Sequence, residues 1–155
     1  MEMKTYKCYS GGVPMPWGKG TVVRGAGGFV FVGGMTGWIE GYNPKSPGFH
    51  QAPTVAEGAA AQTRLVMEKI KAALEDMGSS LENIVKMTYY VKGPFPDGVG
   101  RSSNWRLDVI DEFFREHCPR LCSDDNPPPS ELIGVSSLAH PDMVIEIVCI
   151  AALPD

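Results

Sequence analysis

The chain of 155 residues lacks the segments that would direct it to a membrane or to a nucleic acid. No apolar run approaches the roughly 20 residues that a membrane-spanning helix needs. The first residues, MEMKTYKCYSGG, contain no apolar core of a signal peptide. The net charge is −4, and the lysines and arginines form no cluster, so the electrostatic signature of nucleic-acid binding is missing. We therefore expect a cytoplasmic protein that binds neither nucleic acid nor membranes.

Cysteine is scarce, and the four present do not indicate a disulfide scaffold, which is typical of short secreted chains. Cys149 lies in an apolar run and is interpreted as a small core residue. His117, Cys118 and Cys122, in HCPRLC, have the chemistry of metal ligands, but Pro119 interrupts their spacing and no second ligand pair occurs elsewhere. We interpret them as loop residues and expect no metal site.

A phosphate-binding loop is also absent, because the glycines at 25–28 have neither of the required spacings and no helix pattern follows them. They are predicted to form a turn between two short strands at 21–23 and 29–32, which are rich in β-branched and aromatic residues.

Apolar periodicity and turn residues predict the rest of the secondary structure. Thr54-Val-Ala-Glu57 matches a capping box and predicts a helix that begins there, ends near Asp76 and is followed by Gly78 at its C′ position. The other predicted elements are a short strand at 38–39, strands at 84–93, 131–137 and 143–151, a helix at 104–117, a hairpin connection at 139–142, and loops at 35–53, 94–103 and 118–129.

Strands mixed with two helices predict one α+β domain over residues 1–155, with both helices on one face of a sheet. The last predicted strand is nevertheless apolar on both faces, since the apolar residues of 143–151 fall at both odd and even positions. A symmetric oligomer is the simplest cover for the second face, and it would place pockets between subunits.

Glu146 stands in the apolar run MVIEIVCIAA (143–152). Burying a carboxylate is costly, so its side chain should either find hydrogen-bond donors or hold its proton. One interpretation is a general acid or base. The other is a buried glutamate that only accepts hydrogen bonds.

Four segments together resemble the Rid superfamily, the YjgF-type reactive-intermediate deaminases. They are FVFVGGMTG (29–37), AAQTRLVMEKIKAALEDMGSSLENIVKMTYYVKG (60–93), EFFREH (112–117) and PPPSELIGVSSLAHPDMVIEIVCIA (127–151). The LAHPDMVIEI part is similar to the branch that includes 2-aminomuconate deaminases. The resemblance implies a chorismate-mutase-like α+β fold with a mixed sheet. It also implies a homotrimer whose sheets form a central barrel with clefts between the subunits.

The resemblance further implies hydrolysis of a small enamine or imine to a carbonyl compound and ammonia, with no metal or organic cofactor. Glu146 matches the glutamate that positions the attacking water. Gly34 matches the residue whose backbone lies against the ligand, and Trp17 occupies the position of an aromatic residue that is usually tyrosine.

One position departs from the family pattern. Members with deaminase activity carry an arginine in a P-x-R-S/T motif before the penultimate strand, and Ser130 is aligned with it here. Serine cannot supply the bidentate carboxylate clamp of arginine, so Ser130 and the adjacent Glu131 are expected to give only polar contacts. Three other arginines are candidate replacements, although each is equally consistent with a solvated charge: Arg101, Arg106 and Arg120.

Two functions follow from these observations. The first is a trimeric hydrolase or deaminase of a small unsaturated intermediate, with Glu146 as its base. The second, suggested by the missing arginine, is a non-catalytic trimer that binds a small metabolite or a partner enzyme. The nuclease activity attributed to some relatives is disfavoured by the acidic net charge.

Overall fold

A computed structural model describes residues 1–39 and 55–155. The strands are β1 (Glu2–Ser10), β2 (Val13–Arg24), β3 (Gly28–Thr36), β4 (Ile84–Lys92), β5 (Ser130–Val135) and β6 (Ile145–Leu153), and the helices are α1 (Ala59–Asp76), α2 (Val99–Ser102) and α3 (Asn104–His117). Short 3₁₀ turns occur at Leu81–Asn83 and Pro119–Leu121. None of the helices in the two described ranges combines the length and the apolar character needed to cross a bilayer.

The main sheet has four strands in the order β3-β6-β4-β5. β5 runs parallel to β4, whereas β6 is antiparallel to both β3 and β4. The predicted hairpin at 139–142 is therefore wrong, because β4 lies between β5 and β6. The connection instead passes the end of β4, where the Lys92 amide donates to the Val144 carbonyl at 3.0 Å and the Gly93 amide donates to the Val135 carbonyl at 2.7 Å.

The helices cover one face of this sheet, as the sequence predicted. Along β6, Ile145, Ile147, Cys149 and Ala151 are fully buried, whereas the residues between Ile145 and Ala151 at even positions are half-buried. The buried side chains pack with α1 and α3 in the core. The opposite, open face exposes apolar side chains: Phe31 is 73% exposed although it pairs with Ile150 in the sheet.

A separate two-stranded ribbon, β1 and β2, precedes the main sheet. The sequence predicted only part of β2 and missed β1 entirely. β1 is exposed or half-buried along its whole length, so it lacks the strong apolar alternation that marks a core strand. Its partner is β2, and the hydroxyls of Thr5 and Thr21 lie 2.8 Å apart across the pair.

The helix α1 begins later than the capping box at 54–57 predicted. The helix begins at Ala59, its N-cap is Gly58 with a φ of +87°, and no side chain caps it. Glu57 therefore precedes the helix, and Thr54 lies outside the described residues. The predicted end is confirmed, since Asp76 is the last helical residue and Gly78 has a φ of +77°.

Two further differences concern the connections. The predicted loop at 94–103 contains the short helix α2, whereas α3 has the predicted bounds. The short strand predicted at 38–39 is a single bridge between Trp38 and Val55.

Candidate functional site

Glu146 lies on the open face of the sheet. The alternation of β6 turns Ile145 and Ile147 into the core and Glu146 away from it. In the register of the sheet, Thr36 of β3 and Tyr90 of β4 are its direct neighbours on the two sides. Directly paired residues have Cβ atoms about 5 Å apart, so a hydroxyl side chain flanks the half-buried carboxylate on each side.

A β-bulge in β3 brings the backbone beneath this carboxylate. Val32 pairs with Cys149 and Met35 pairs with Ile147, so two residues of β3 oppose Val148 alone. The two are Gly33 and Gly34. A Cβ atom at Gly34 would lie 1.8 Å from Oε1 of Glu146 and 2.7 Å from its Cδ. The carboxyl group thus occupies the space that any side chain at Gly34 would fill, and the site requires glycine there.

The Glu146 carboxylate is without a polar partner among the residues that the structure describes. Within residues 1–39 and 55–155, it takes part in no hydrogen bond or ion pair. Half-burial removes part of the water around this carboxylate. No donor from the described residues replaces that water, so the burial costs free energy. It remains available to accept a proton or to orient a water molecule.

Two side chains of α1 fix the strand segments around the site. The ammonium group of Lys69 donates to the carbonyls of Thr36 at 2.7 Å and Trp38 at 2.5 Å, and its partial burial lowers the pKa of Lys69. These bonds hold the end of β3 beside Glu146. Gln62, only 2% exposed, accepts from the Val144 amide at 2.9 Å and donates to the Asp142 carbonyl at 2.8 Å, which fixes the entry into β6.

Trp17 and Ser130 both line a cavity of about 580 Å³ on the helix side of the sheet. Gly18 allows β2 to approach this region, because a Cβ atom there would lie 2.7 Å from the Pro127 carbonyl oxygen. The Gly18 amide donates to the Pro128 carbonyl at 3.1 Å. Trp17 is 40% exposed and lines the cavity where it meets solvent.

Arg106 of α3 lines the same cavity and is 5% exposed. Its guanidinium group lies over the ring of Tyr89, with Cζ 5.5 Å from the ring centroid, and donates to the Ser103 hydroxyl at 2.9 Å. Its Nε is buried and has no hydrogen-bond partner in the described part of the chain. Burial lowers the pKa of Arg106 and raises the pKa of Tyr89.

The predicted site residues therefore fall into separate groups within one chain. The structure brings Glu146 to Gly34 on the open face, and it brings Trp17 to Ser130 in the cavity on the other side of the sheet. Glu131 belongs to neither group. Its carboxylate bonds the ammonium group of Lys86 at 2.7 Å on the strand surface, and this bond lowers the pKa of Glu131. The roles predicted for these residues stay predictions.

The three candidate arginines also differ in placement. Arg101 is exposed on α2, and the guanidinium group of Arg120 donates to the carbonyl of Glu82. Arg106 alone of the three lines the cavity beside Ser130.

Two further observations concern the histidine and cysteine side chains. His140 is 8% exposed and belongs to the turn before β6, where its Nδ1 accepts from the Asp142 amide at 3.1 Å. In the described residues, no group of three or more histidine, cysteine, aspartate or glutamate side chains is arranged to hold a metal ion.

Thr36 and Tyr90 were missed as neighbours of Glu146. Both hydroxyls are visible in the sequence, but their proximity to Glu146 depends on the strand order β3-β6-β4 and on the position of the bulge. The consecutive glycines Gly33 and Gly34, inside an otherwise apolar strand, were the available signal for that bulge.

Comparisons with known proteins agree on one family. The model of the endoribonuclease L-PSP family matches residues 15–153. A RutC family protein of Pyrococcus abyssi is 35% identical over 79 residues, which are 51% of this chain and 55% of that protein. The chain therefore spans about half the length of this curated relative.

Solved structures share the fold. The crystal structure of Escherichia coli TdcF with bound serine is 25% identical, covers 81% of each chain and has a TM-score of 0.59. The Rid family protein YyfB of Yersinia pestis is 19% identical, with 99% and 100% coverage and a TM-score of 0.67, and its likeness concerns the fold alone. The mixed α+β, chorismate-mutase-like fold expected from the sequence is confirmed.

Proposed function

Because the chain belongs to the endoribonuclease L-PSP family, which is the YjgF/RutC/Rid family, we propose that it hydrolyses a small enamine or imine, or a related unsaturated intermediate. Glu146 is the base of this reaction. The observation that carries the proposal is the half-buried, unengaged carboxylate of Glu146 held against the backbone at Gly34.

In the proposed reaction, Glu146 orients a water molecule and takes one of its protons while the water oxygen bonds to the C=N carbon. The nitrogen gains both protons of that water, one by way of Glu146 and the other from the added hydroxyl, as the C–N bond breaks, ammonia leaves and the C=O bond forms. An enamine first becomes an imine by transfer of a proton from its nitrogen to its carbon. The proton held by Glu146 returns to the departing nitrogen, so the carboxylate is regenerated. General acid–base catalysis of this kind contributes about 10²–10⁴ in rate.

The substrate class differs from that of members with the arginine clamp. Ser130 stands where those members carry arginine, and in this structure it faces the cavity rather than Glu146. The similar protein TdcF binds serine, which supports a ligand of comparable size. We propose that binding at Glu146 depends less on a substrate carboxylate than on the flanking hydroxyls of Thr36 and Tyr90.

We also propose that the working unit is a homotrimer with the open face of the sheet in its interior. Phe29 and Phe31 of β3 are 49% and 73% exposed in the single chain, and Ile133 of β5 is 39% exposed on the same face. Burying apolar area contributes about 25 cal/mol per Å², so association over this face is favourable. Light scattering coupled to size-exclusion chromatography would measure the mass, and a monomer at micromolar concentration would refute the trimer.

The activity is tested by turnover of 2-aminomuconate and a panel of small enamines, measured as ammonia release by wild type, Glu146→Gln and Glu75→Gln. We expect Glu146→Gln to lower kcat/KM at least about 100-fold. Glu75→Gln is the matched control, because its carboxylate is exposed on α1 and paired with Lys71, and its rate should stay within about twofold of wild type.

Equal rates for wild type and Glu146→Gln would remove Glu146 from the mechanism. A wild-type protein that turns over no member of the panel, yet binds one of them, would favour the non-catalytic metabolite-binding alternative. Ribonuclease activity is not proposed despite the family's description, because the net charge of −4 disfavours binding of a polyanion.

A further inference from the structure

We propose that Lys69 of α1 is the positioning residue for Glu146, because its ammonium group fixes the register in which β3 continues after the bulge. Lys69 contacts the backbone of β3 from the helix that covers the sheet, so it acts through that strand and not on a ligand. Its role in turnover rests on the proposed function, whereas its role in the fold does not.

The bulge in β3 needs a constraint from outside the strand. Its two residues, Gly33 and Gly34, carry no side chain that could fix its position. β3 is the end strand of the four-stranded sheet, so within the described part of that sheet only β6 pairs with it. Two pairs with β6 remain after the bulge, those of Met35 and Thr36. If this segment slipped by one residue and lost the bulge, Met35 would take the place of Thr36 opposite Glu146, and each side chain would turn to the other face of the sheet.

Lys69 supplies this constraint. Its ammonium group donates to the Thr36 carbonyl at 2.7 Å and to the Trp38 carbonyl at 2.5 Å. The carbonyl between them, that of Gly37, accepts from the Ala56 amide at 2.8 Å. Three consecutive carbonyls at the exit of β3 are therefore engaged, two of them by one side chain. A slip of one residue moves a strand by about 3.3 Å along its axis, which would break both bonds of Lys69.

The charge of Lys69 strengthens the constraint. Its ammonium group is half-buried, and burial lowers the pKa of Lys69. No carboxylate within residues 1–39 and 55–155 forms an ion pair with it, so its recorded acceptors are the two carbonyls. Hydrogen bonds from a charged donor are roughly twice as strong as those between neutral groups. The helix also lies directly against the segment, since a Cβ atom at Gly37 would lie 2.7 Å from Cγ of Gln62.

Hydrogen–deuterium exchange of the full chain, read by mass spectrometry without any substrate, tests the role in the fold. Lys69→Met removes both bonds and keeps a good helix former. The amides of residues 33–38 should then exchange about 10-fold faster or more, and those of β4 should exchange as in wild type. Lys71→Met is the matched control, because Lys71 is a half-buried lysine of the same helix that bonds Glu75, and it should leave β3 unchanged. Lys69→Ala removes the same bonds and is measured alongside, so the test does not depend on the folding of one variant.

Steady-state kinetics on an enamine that wild type turns over test the role in the reaction. Lys69→Met should lower kcat about 10- to 100-fold and leave KM within about threefold, since the carboxylate is misplaced while the contacts to the ligand remain. In the Glu146→Gln background the same substitution should lower the residual kcat by less than about twofold, because no carboxylate remains to be positioned. A merely structural role would lower the rate by the same factor in both backgrounds. Lys71→Met should change neither constant by more than about twofold.

The proposal is overturned by wild-type exchange at residues 33–38 in folded Lys69→Met and Lys69→Ala. It is also overturned by an unchanged kcat, or by a fall in kcat that is equally large in the Glu146→Gln background. A wild type without turnover, or a Glu146→Gln variant as fast as wild type, refutes the proposed function instead. The exchange of residues 33–38 then decides alone whether Lys69 fixes the register of β3.

Discussion

Replacing Gly34 by alanine should displace the Glu146 carboxylate and leave the fold nearly intact. The new Cβ would lie 1.8 Å from Oε1, 2.7 Å from Cδ and 3.1 Å from Cγ of Glu146. Non-bonded heavy atoms are in favourable contact at about 3.5 Å, so the carboxyl oxygen must move by about 1.7 Å. The contact involves the far end of a flexible side chain, and the main cost is an unfavourable rotamer of about 0.5–1.5 kcal/mol.

Gly34→Ala should lower the activity strongly and the free energy of unfolding only slightly. A misplacement of about 1 Å at a reacting group can cost about 10²-fold in rate, so Gly34→Ala should lose about that much kcat/KM on whichever enamine wild type turns over. Urea unfolding should report a loss of only about 1 kcal/mol. Gly33→Ala is the matched control, since a Cβ at Gly33 meets nothing within 4 Å in the same bulge, and it should change neither quantity appreciably.

The same Gly34 substitution, made in the Glu146→Ala variant, tests the geometry without any substrate. In Glu146→Ala the space beside Gly34 is empty, so adding Gly34→Ala should cost nothing or stabilise by about 0.4–1 kcal/mol. The coupling energy between the two substitutions should therefore reach about 1–2 kcal/mol. Additive effects in this double-mutant cycle, or full activity in Gly34→Ala, would refute the placement of the carboxylate against the bulge.

Two further predictions concern the core beneath the site. Gln62→Leu should destabilise the protein by about 2 kcal/mol, because the Val144 amide and the Asp142 carbonyl lose their partners. Lys71→Leu, at a half-buried surface lysine of the same helix, should stay within about 0.5 kcal/mol in the same urea titration. Burial raises the pKa of Cys149 from 9.0 to about 12. Between these two pH values the unfolded chain loses the thiol proton and the folded chain keeps it, so the free energy of unfolding falls as the pH rises from 9 toward 12 and is unaffected by this group below pH 9. Between pH 9 and pH 10.5, wild type should therefore lose about 2 kcal/mol more than Cys149→Ala, and parallel pH profiles would contradict the buried thiol.

The sequence predicted the elements that form the core and missed those that do not. α3 and the end of α1 have the predicted bounds, because each presents an apolar stripe to the sheet. β1 was not predicted because none of its residues is buried in the core. The hairpin before β6 was predicted from proximity along the chain, yet strand order follows from packing: the crossover through α2 and α3 places β5 parallel to β4 and leaves β6 on the other edge of β4.

The sequence predicted only those features of the candidate site that lie within a single strand. Glu146 was identified because a carboxylate in an apolar run is visible in the sequence itself. Its pairing with Gly34 needs both the neighbouring strand and a bulge that shifts the register by one residue. Thr36 and Tyr90 became neighbours of Glu146 for the same reason, and no pattern within either strand identifies them.

Strand geometry also limits which predicted residues can meet one ligand. Ser130 and Glu131 are consecutive in β5, so their side chains lie on opposite faces of the sheet. In the register, Ser130 pairs with buried Met87, whereas Glu146 pairs with Tyr90 on the other face. Within one chain, a ligand at Glu146 therefore cannot also reach Ser130 through the sheet. A pocket that unites them must take Glu146 from one protomer and Ser130 from another, so a shared cleft requires the proposed trimer.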